Sequence, residues 1–160
     1  MSLTLHLGVL VQPYRSWDLN ARGTRRKRGA VTALTTGDVA HILEDKYGIM
    51  GAFFRVHNRD VMSAIESSLQ NATAAIFTGE PPDSFDPLGS ATQKIQQEMQ
   101  DFVLSREAEQ VGIPGTPTMA AQRGVNHLLL HPYAKSNPRR PSFHDTGLYV
   151  SSMRAWTTST

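Results

Sequence analysis

The sequence predicts an α+β domain: a small antiparallel β-sheet packed against two or three helices, with extended loops or arms, residues 1–160 forming one unit. Three observations point there. Apolar residues alternate at Leu3, Leu5, Leu7 and Val9, the period of a half-buried strand. Later stretches repeat apolar residues every three or four positions, the period of a helix buried on one side. Between them lie glycine-, proline- and arginine-rich segments with neither period. A chain of 160 residues is long enough to bury about two-thirds of its unfolded surface. Its hydrophobic (39%) and charged (19%) contents are both low for a globular domain, which suits arms that order against neighbours.

The opening strand spans 3–11 and is closed by Pro13, which cannot donate to a ladder. Residues 14–34 form a basic loop or arm around the cluster Arg22, Arg25, Arg26, Lys27 and Arg28. Ala30 to Leu34 is a candidate second strand, pairing with the first. Thr35-Thr36-Gly37-Asp38 caps a helix carrying Val39, Ile42, Leu43 and Tyr47 at helical spacing, with an end near Gly48 or Gly51. His57-Asn58-Arg59 marks a bend, and Asp60 is the expected cap of a second helix through Val61, Ile65, Leu69, Ala72 and Ile76. Gly79, Pro81 and Pro82 stop it.

A third helix, about 88–109, has a thin stripe of Ala91, Ile95, Met99, Phe102 and Val103, narrow enough for partial burial or for burial against a partner. Gly112 to Pro117 is a rigid loop, and Thr118 caps a short turn over 119–123. Residues 125–130 are apolar and fit strand or helix. Residues 132–145, with Pro132, Pro138 and Pro141, form an extended arm. Asp145 and Thr146 then cap a last helix whose stripe is Leu148, Ser152, Met153 and Trp156. If that stripe docks, Trp156→Ala loses a few kcal/mol, as for a buried aromatic.

Charge is unevenly placed. Residues 15–31 carry six basic side chains against one acidic, residues 36–110 five against twelve, and residues 111–160 five against one. Basic ends and an acidic middle suit head-to-tail packing of identical copies. They also suit two solvated loops flanking a solvated helical face.

Chemistry-bearing constellations are sparse. The chain has no cysteine, which excludes disulfides, thiolate catalysis and cysteine-ligated zinc. No run approaches the roughly 18–20 apolar residues of a membrane span. The start lacks the pattern of a signal peptide, so use in the cytoplasm is expected. His127 and His131 lie four apart but lack a third ligand nearby in sequence. Glu107 and Glu109, like the other carboxylates of 44–109, read as a solvated helical face. No catalytic residue, metal site or cofactor is expected.

Several stretches, in order, resemble tailed-bacteriophage neck proteins of the head–tail joining or tail-completion kind. They are Thr35 to Met50, Gly112 to Ala121, and Arg140 to Tyr149 followed by Ser152 and Arg154-Ala155-Trp156. The last, with its Arg-Pro and Asp-Thr-Gly-Leu-Tyr, is the most specific. The resemblance implies a structural virion protein with no catalytic residues, assembled in the host cytoplasm and residing at the neck. It implies a homo-oligomeric ring, hexamer or dodecamer, between the portal or its adaptor and the tail terminator or tail tube, with genomic DNA passing through the lumen. It makes Arg139, Arg140, Pro141, Phe143, Leu148, Tyr149 and Trp156 the expected subunit interface, and Arg22 to Arg28 a loop contacting DNA or a partner. Because the chain ends in Thr157 to Thr160, a terminal strand is expected to be short or missing. The alternative from the residues alone is a small basic nucleic-acid-binding regulator. It predicts affinity that falls steeply with salt.

Overall fold

The computed structural model describes residues 2–13, 34–79 and 86–159, and it is an α+β fold: a two-stranded antiparallel sheet packed against helices. Strand β1 (Leu3–Val9) pairs with β2 (Met153–Ser159), joining the two ends of the chain, with Leu3 opposite Ser159 and Val9 opposite Met153. Leu5, Leu7 and Val9 turn toward the core, as their alternation requires, whereas Leu3 is largely exposed.

Helix α1 (Thr36–Tyr47) starts as expected. Thr35 accepts from the Asp38 backbone N–H, and the Asp38 carboxylate accepts from the Thr35 N–H, a reciprocal capping box. Thr36, fully buried, ties α1 to the chain after β1: its hydroxyl donates to the Leu10 carbonyl and accepts from the Gln12 N–H. Gly48, in the left-handed region, ends α1 and begins α2 (Ile49–Thr78).

Helix α2 runs unbroken for 30 residues, so the expected bend at 57–59 and cap at Asp60 are corrected. No proline interrupts this stretch, and His57 fastens it instead of breaking it. Its ring stacks on Phe53 and its Nε2 lies 3.0 Å from Glu107 Oε1. The buried residues of the second half are Val61, Ala64, Ser68 and Ala72; Val61 and Ala72 belong to the predicted stripe, and Ile65 packs against the core. Leu69 and Ile76 are exposed.

Helix α3 (Gly89–Leu104) packs along α2 in the opposite direction. Ser68 meets Ser90 and Pro87 at one end, and Phe53 meets Phe102 at the other. All five residues of its predicted stripe are buried, and they are covered within the chain. The expected helix to 109 is divided by Arg106, whose φ of 67° breaks it before α4 (Glu107–Gln110). The core lies where α2, α3 and the sheet meet, around Ile49, Phe53, Ile95, Met99, Phe102 and Met153.

Helix α5 (Met119–Gln122) is capped by Thr118 as predicted. Residues 125–130 are neither strand nor helix, and 132–145 form successive turns, not an extended arm. The final helix is also corrected. Helix α6 (Leu148–Ser151) is a single turn entered through Gly147 at φ 79°; the Thr146 hydroxyl accepts from the Leu148 N–H at 3.5 Å, but Asp145 does not cap it. Strand β2 follows at once, so a seven-residue terminal strand is present. Pairing with β1 outweighs the helical spacing of Ser152, Met153 and Trp156, and the β-formers Trp156, Thr157 and Thr158 favour it. The expected strand at 30–34 lies, apart from Leu34, outside the described residues.

Candidate functional site

Three segments far apart in sequence enclose a groove of about 660 Å³. One wall is α1, through Val39, Leu43 and Tyr47, with Leu34 before it. A second comes from Thr118, Ala120 and His127. The third is the turn-rich segment before β2, through Arg140, Phe143, Asp145, Thr146, Gly147 and Tyr149. The lining is mainly apolar, with a polar end at His127, Arg140 and Asp145.

Arg140 organises the third wall. Its guanidinium donates to the carbonyls of Val125, Pro141 and His144, and it lies 4.0 Å from Asp145. Its backbone N–H reaches the Ala121 carbonyl. One planar fork thus gathers three carbonyls of segments that form neither helix nor strand. Within this frame Phe143 adopts φ 66°, a conformation costly for a side chain, and packs edge-on against Tyr47 at 4.9 Å between ring centres. That contact joins the third wall to α1.

Ser142 and Glu109 anchor the wall from behind. The Glu109 side chain is only 6% exposed. It accepts from the Ser142 N–H (2.8 Å), the Ser142 hydroxyl (2.7 Å) and Arg139 (2.5 Å). The Ser142 hydroxyl also accepts from the Thr118 N–H, linking the second and third walls. Burial pushes the Glu109 carboxyl up, but the bonds from Ser142 and Arg139 outweigh it, and its pKa falls below the ordinary glutamate value. A carboxyl whose folded pKa is depressed stabilises the fold above its unfolded pKa. That contribution disappears as pH falls through the folded value. Glu109→Gln is therefore expected to cost about 1–3 kcal/mol at pH 7. It is also expected to flatten the loss of stability below about pH 4.3, where unfolded glutamates take up protons. Urea denaturation of both proteins between pH 7 and 3 checks this; parallel pH profiles would refute it.

His127 and Asp145 close the polar end. Asp145 accepts from the His127 N–H at 3.0 Å and lies 2.5 Å from Nδ1, while Tyr133 OH lies 2.9 Å from Nε2. The imidazole thus bonds on both sides, to the Asp145 carboxylate through Nδ1 and to the Tyr133 hydroxyl through Nε2. Asp145 therefore serves His127, not the cap of α6 expected from sequence. His127 and His131 share no helix, and no three metal-capable side chains converge among the described residues. Gly124 allows two of these loops to meet. At φ 66°, a Cβ there would lie 2.5 Å from the Pro138 carbonyl oxygen.

The predicted interface residues are thus divided. Arg140, Phe143 and Tyr149 line the groove, Tyr149 as a buried floor. Arg139 holds Glu109, and its carbonyl accepts from Arg106. Pro141 and Leu148 are half-buried beside them. Trp156 lies on β2, away from the groove lining, where it stacks on His6 and covers Gly8. At 43% exposure it is not the buried aromatic the stripe implied. Trp156→Ala is now expected to cost about 1 kcal/mol, the scale of one cross-strand aromatic pair. A thermal melt checks this, and a loss above about 3 kcal/mol would show deeper burial. Arg22, Arg25, Arg26, Lys27 and Arg28 lie outside the described residues.

Sequence reading missed Glu109 and Ser142, whose pairing spans 33 positions and leaves no local signal. It assigned Val39, Leu43 and Tyr47 to a helix stripe without seeing that the stripe borders a groove. No helix among the described residues is long and apolar enough to cross a membrane. No family model, curated protein or solved structure matches the chain.

Proposed function

We propose that this chain is a structural virion protein of the tailed-phage neck, forming a homo-oligomeric ring that joins the portal side of the head to the tail. One observation carries the reading. The three stretches that resemble neck proteins, 35–50, 112–121 and 140–149, each contribute to the lining of one groove. Stretches so far apart in sequence have a common purpose if that groove and its walls meet other subunits. The groove's apolar lining suits a protein contact, whose core excludes charge. Exposed apolar residues elsewhere, among them Ile76, Phe77, Leu130 and Tyr133, supply further surface of this kind.

In this reading Arg139 and Arg140 act indirectly, by holding the wall in shape, and Phe143 presents it. The partners are copies of the same chain and the adjoining portal or adaptor and tail proteins, with the residence in the virion neck. Inactivating the gene in the phage that carries it is expected to leave filled heads and finished tails unjoined, as seen by electron microscopy. Normal joined particles from the inactivated strain would overturn the proposal.

A further inference from the structure

We propose that the loop 123–135 of one copy seats on the outer face of α2 in a second copy, with Leu128, Leu130 and Tyr133 covering Leu69, Ile76 and Phe77. This names a subunit contact outside the groove and rests on the ring reading above.

The loop presents an apolar tip on a bonded base. Leu128 is 61%, Leu130 73% and Tyr133 72% exposed. Turns close beneath them. The Asn126 N–H donates to the Pro132 carbonyl, and the Asn137 side-chain amide donates to the carbonyls of His131 and Pro132. The Tyr133 hydroxyl lies 2.9 Å from His127 Nε2, so its ring is held in place although exposed. A tip ordered in advance loses little freedom on binding.

The receiving surface is the solvent side of α2. Met62, Glu66, Leu69, Thr73 and Ile76 follow one another at steps of four and three, which puts them on one face, and all are exposed. Val61, Ala64, Ser68 and Ala72 lie on the buried face. From Met62 to Phe77 the exposed face runs for about 22 Å. Phe77 is 86% and Ile76 64% exposed. Tip and face both stay exposed within one chain, so neither covers the other there, and a second copy brings them together.

Charge selects this pairing, and it sits on the two surfaces themselves. Arg123 and Lys135 flank the tip, both exposed and without an ion pair among the described residues. Residues 110–144 include no acidic side chain. Glu66 lies within the α2 face, exposed and likewise without an ion pair among the described residues, and residues 60–93 include no basic side chain. The last turn of α2 has no basic residue either, so the partial negative charge of its terminal carbonyls is not offset there. An apolar tip with a cationic rim thus meets an apolar face whose charge, from Met62 to Phe77, is negative. Tip and face are different surfaces, so the contact is heterologous. Repeated from copy to copy, it closes into a ring or extends into a filament, unlike a two-fold contact.

Disulfide trapping in the purified chain tests this without reference to particles, and the chain has no cysteine to interfere. Leu130→Cys, in the loop, and Leu69→Cys, on α2, are made as separate proteins, mixed at high concentration and oxidised. Circular dichroism first confirms that each folds; Ile76→Cys replaces Leu69→Cys if it does not. The expected product is the mixed dimer, about tenfold or more above that from Leu130→Cys mixed with Leu104→Cys, an exposed position on α3. Adding Lys135→Glu to the loop protein, or Glu66→Lys to the α2 protein, is expected to lower the yield about threefold or more, and the two reversals together to restore it. A mixed dimer no more abundant than the control, predominant linkage between two loop proteins, or reversals without effect would overturn the inference. Sedimentation with phosphatidylserine vesicles that Leu130→Glu abolishes, beside a mixed dimer at the control level, would assign the loop to a lipid surface instead. A strong, charge-dependent mixed dimer from a chain absent from virions would uphold the contact and refute the neck reading alone.

Discussion

Replacing Phe102 by alanine is expected to destabilise the domain by about 3–5 kcal/mol, the cost of removing a fully enclosed aromatic ring. Phe102 is 0% exposed. It meets Phe53 edge-on at 5.7 Å and His57 at 5.8 Å between ring centres, where α2, α3 and the start of α4 converge. Alanine leaves a cavity between two rigid helices that cannot collapse into it. The melting temperature is expected to fall by about 10 °C or more, at roughly 2–4 °C per kcal/mol for a domain of this size. Phe102→Leu retains most of the volume and is expected to cost under about 1.5 kcal/mol. A loss under 1 kcal/mol for the alanine variant in chemical denaturation would show that this junction is not the core.

Replacing Arg140 by alanine is expected to cost about 3 kcal/mol and, unlike the core variant, to act locally first. The guanidinium holds the carbonyls of Val125, Pro141 and His144, and its side chain is only 13% exposed. Without it those acceptors lose their partner, at about 1–3 kcal/mol for each group left buried and unpaired. Arg140→Lys is not expected to rescue, because one ammonium cannot span positions that a planar fork reaches together. Hydrogen exchange should rise across 121–147 well before the α2–α3 amides are affected. Exchange rising equally throughout would mean that Arg140 supports the whole domain and not the groove wall.

What the sequence revealed follows the range of the forces involved. The cap at Thr35 with Asp38, the α3 stripe, the stop at Gly79 and the cap at Thr118 were legible because each is written within a few residues. The continuity of α2 was not. His57-Asn58-Arg59 looks like a break, but Phe53 and Glu107 hold His57 in the helix, and Glu107 lies 50 positions away. The last element failed for a similar reason. Leu148, Ser152 and Trp156 fit a helix by spacing, yet β1, about 150 residues earlier, supplies a ladder that local spacing does not record. The groove was half legible. Arg140, Phe143 and Tyr149 were singled out, while Glu109 read as one more surface carboxylate because Ser142 and Arg139 approach it only in the folded chain.

The proposed neck role requires the chain to be a stoichiometric part of the particle. Quantitative mass spectrometry of purified particles, scaled to a structural protein of known copy number, measures this directly. Six or twelve copies per particle is the expected result. Absence from purified particles would contradict it.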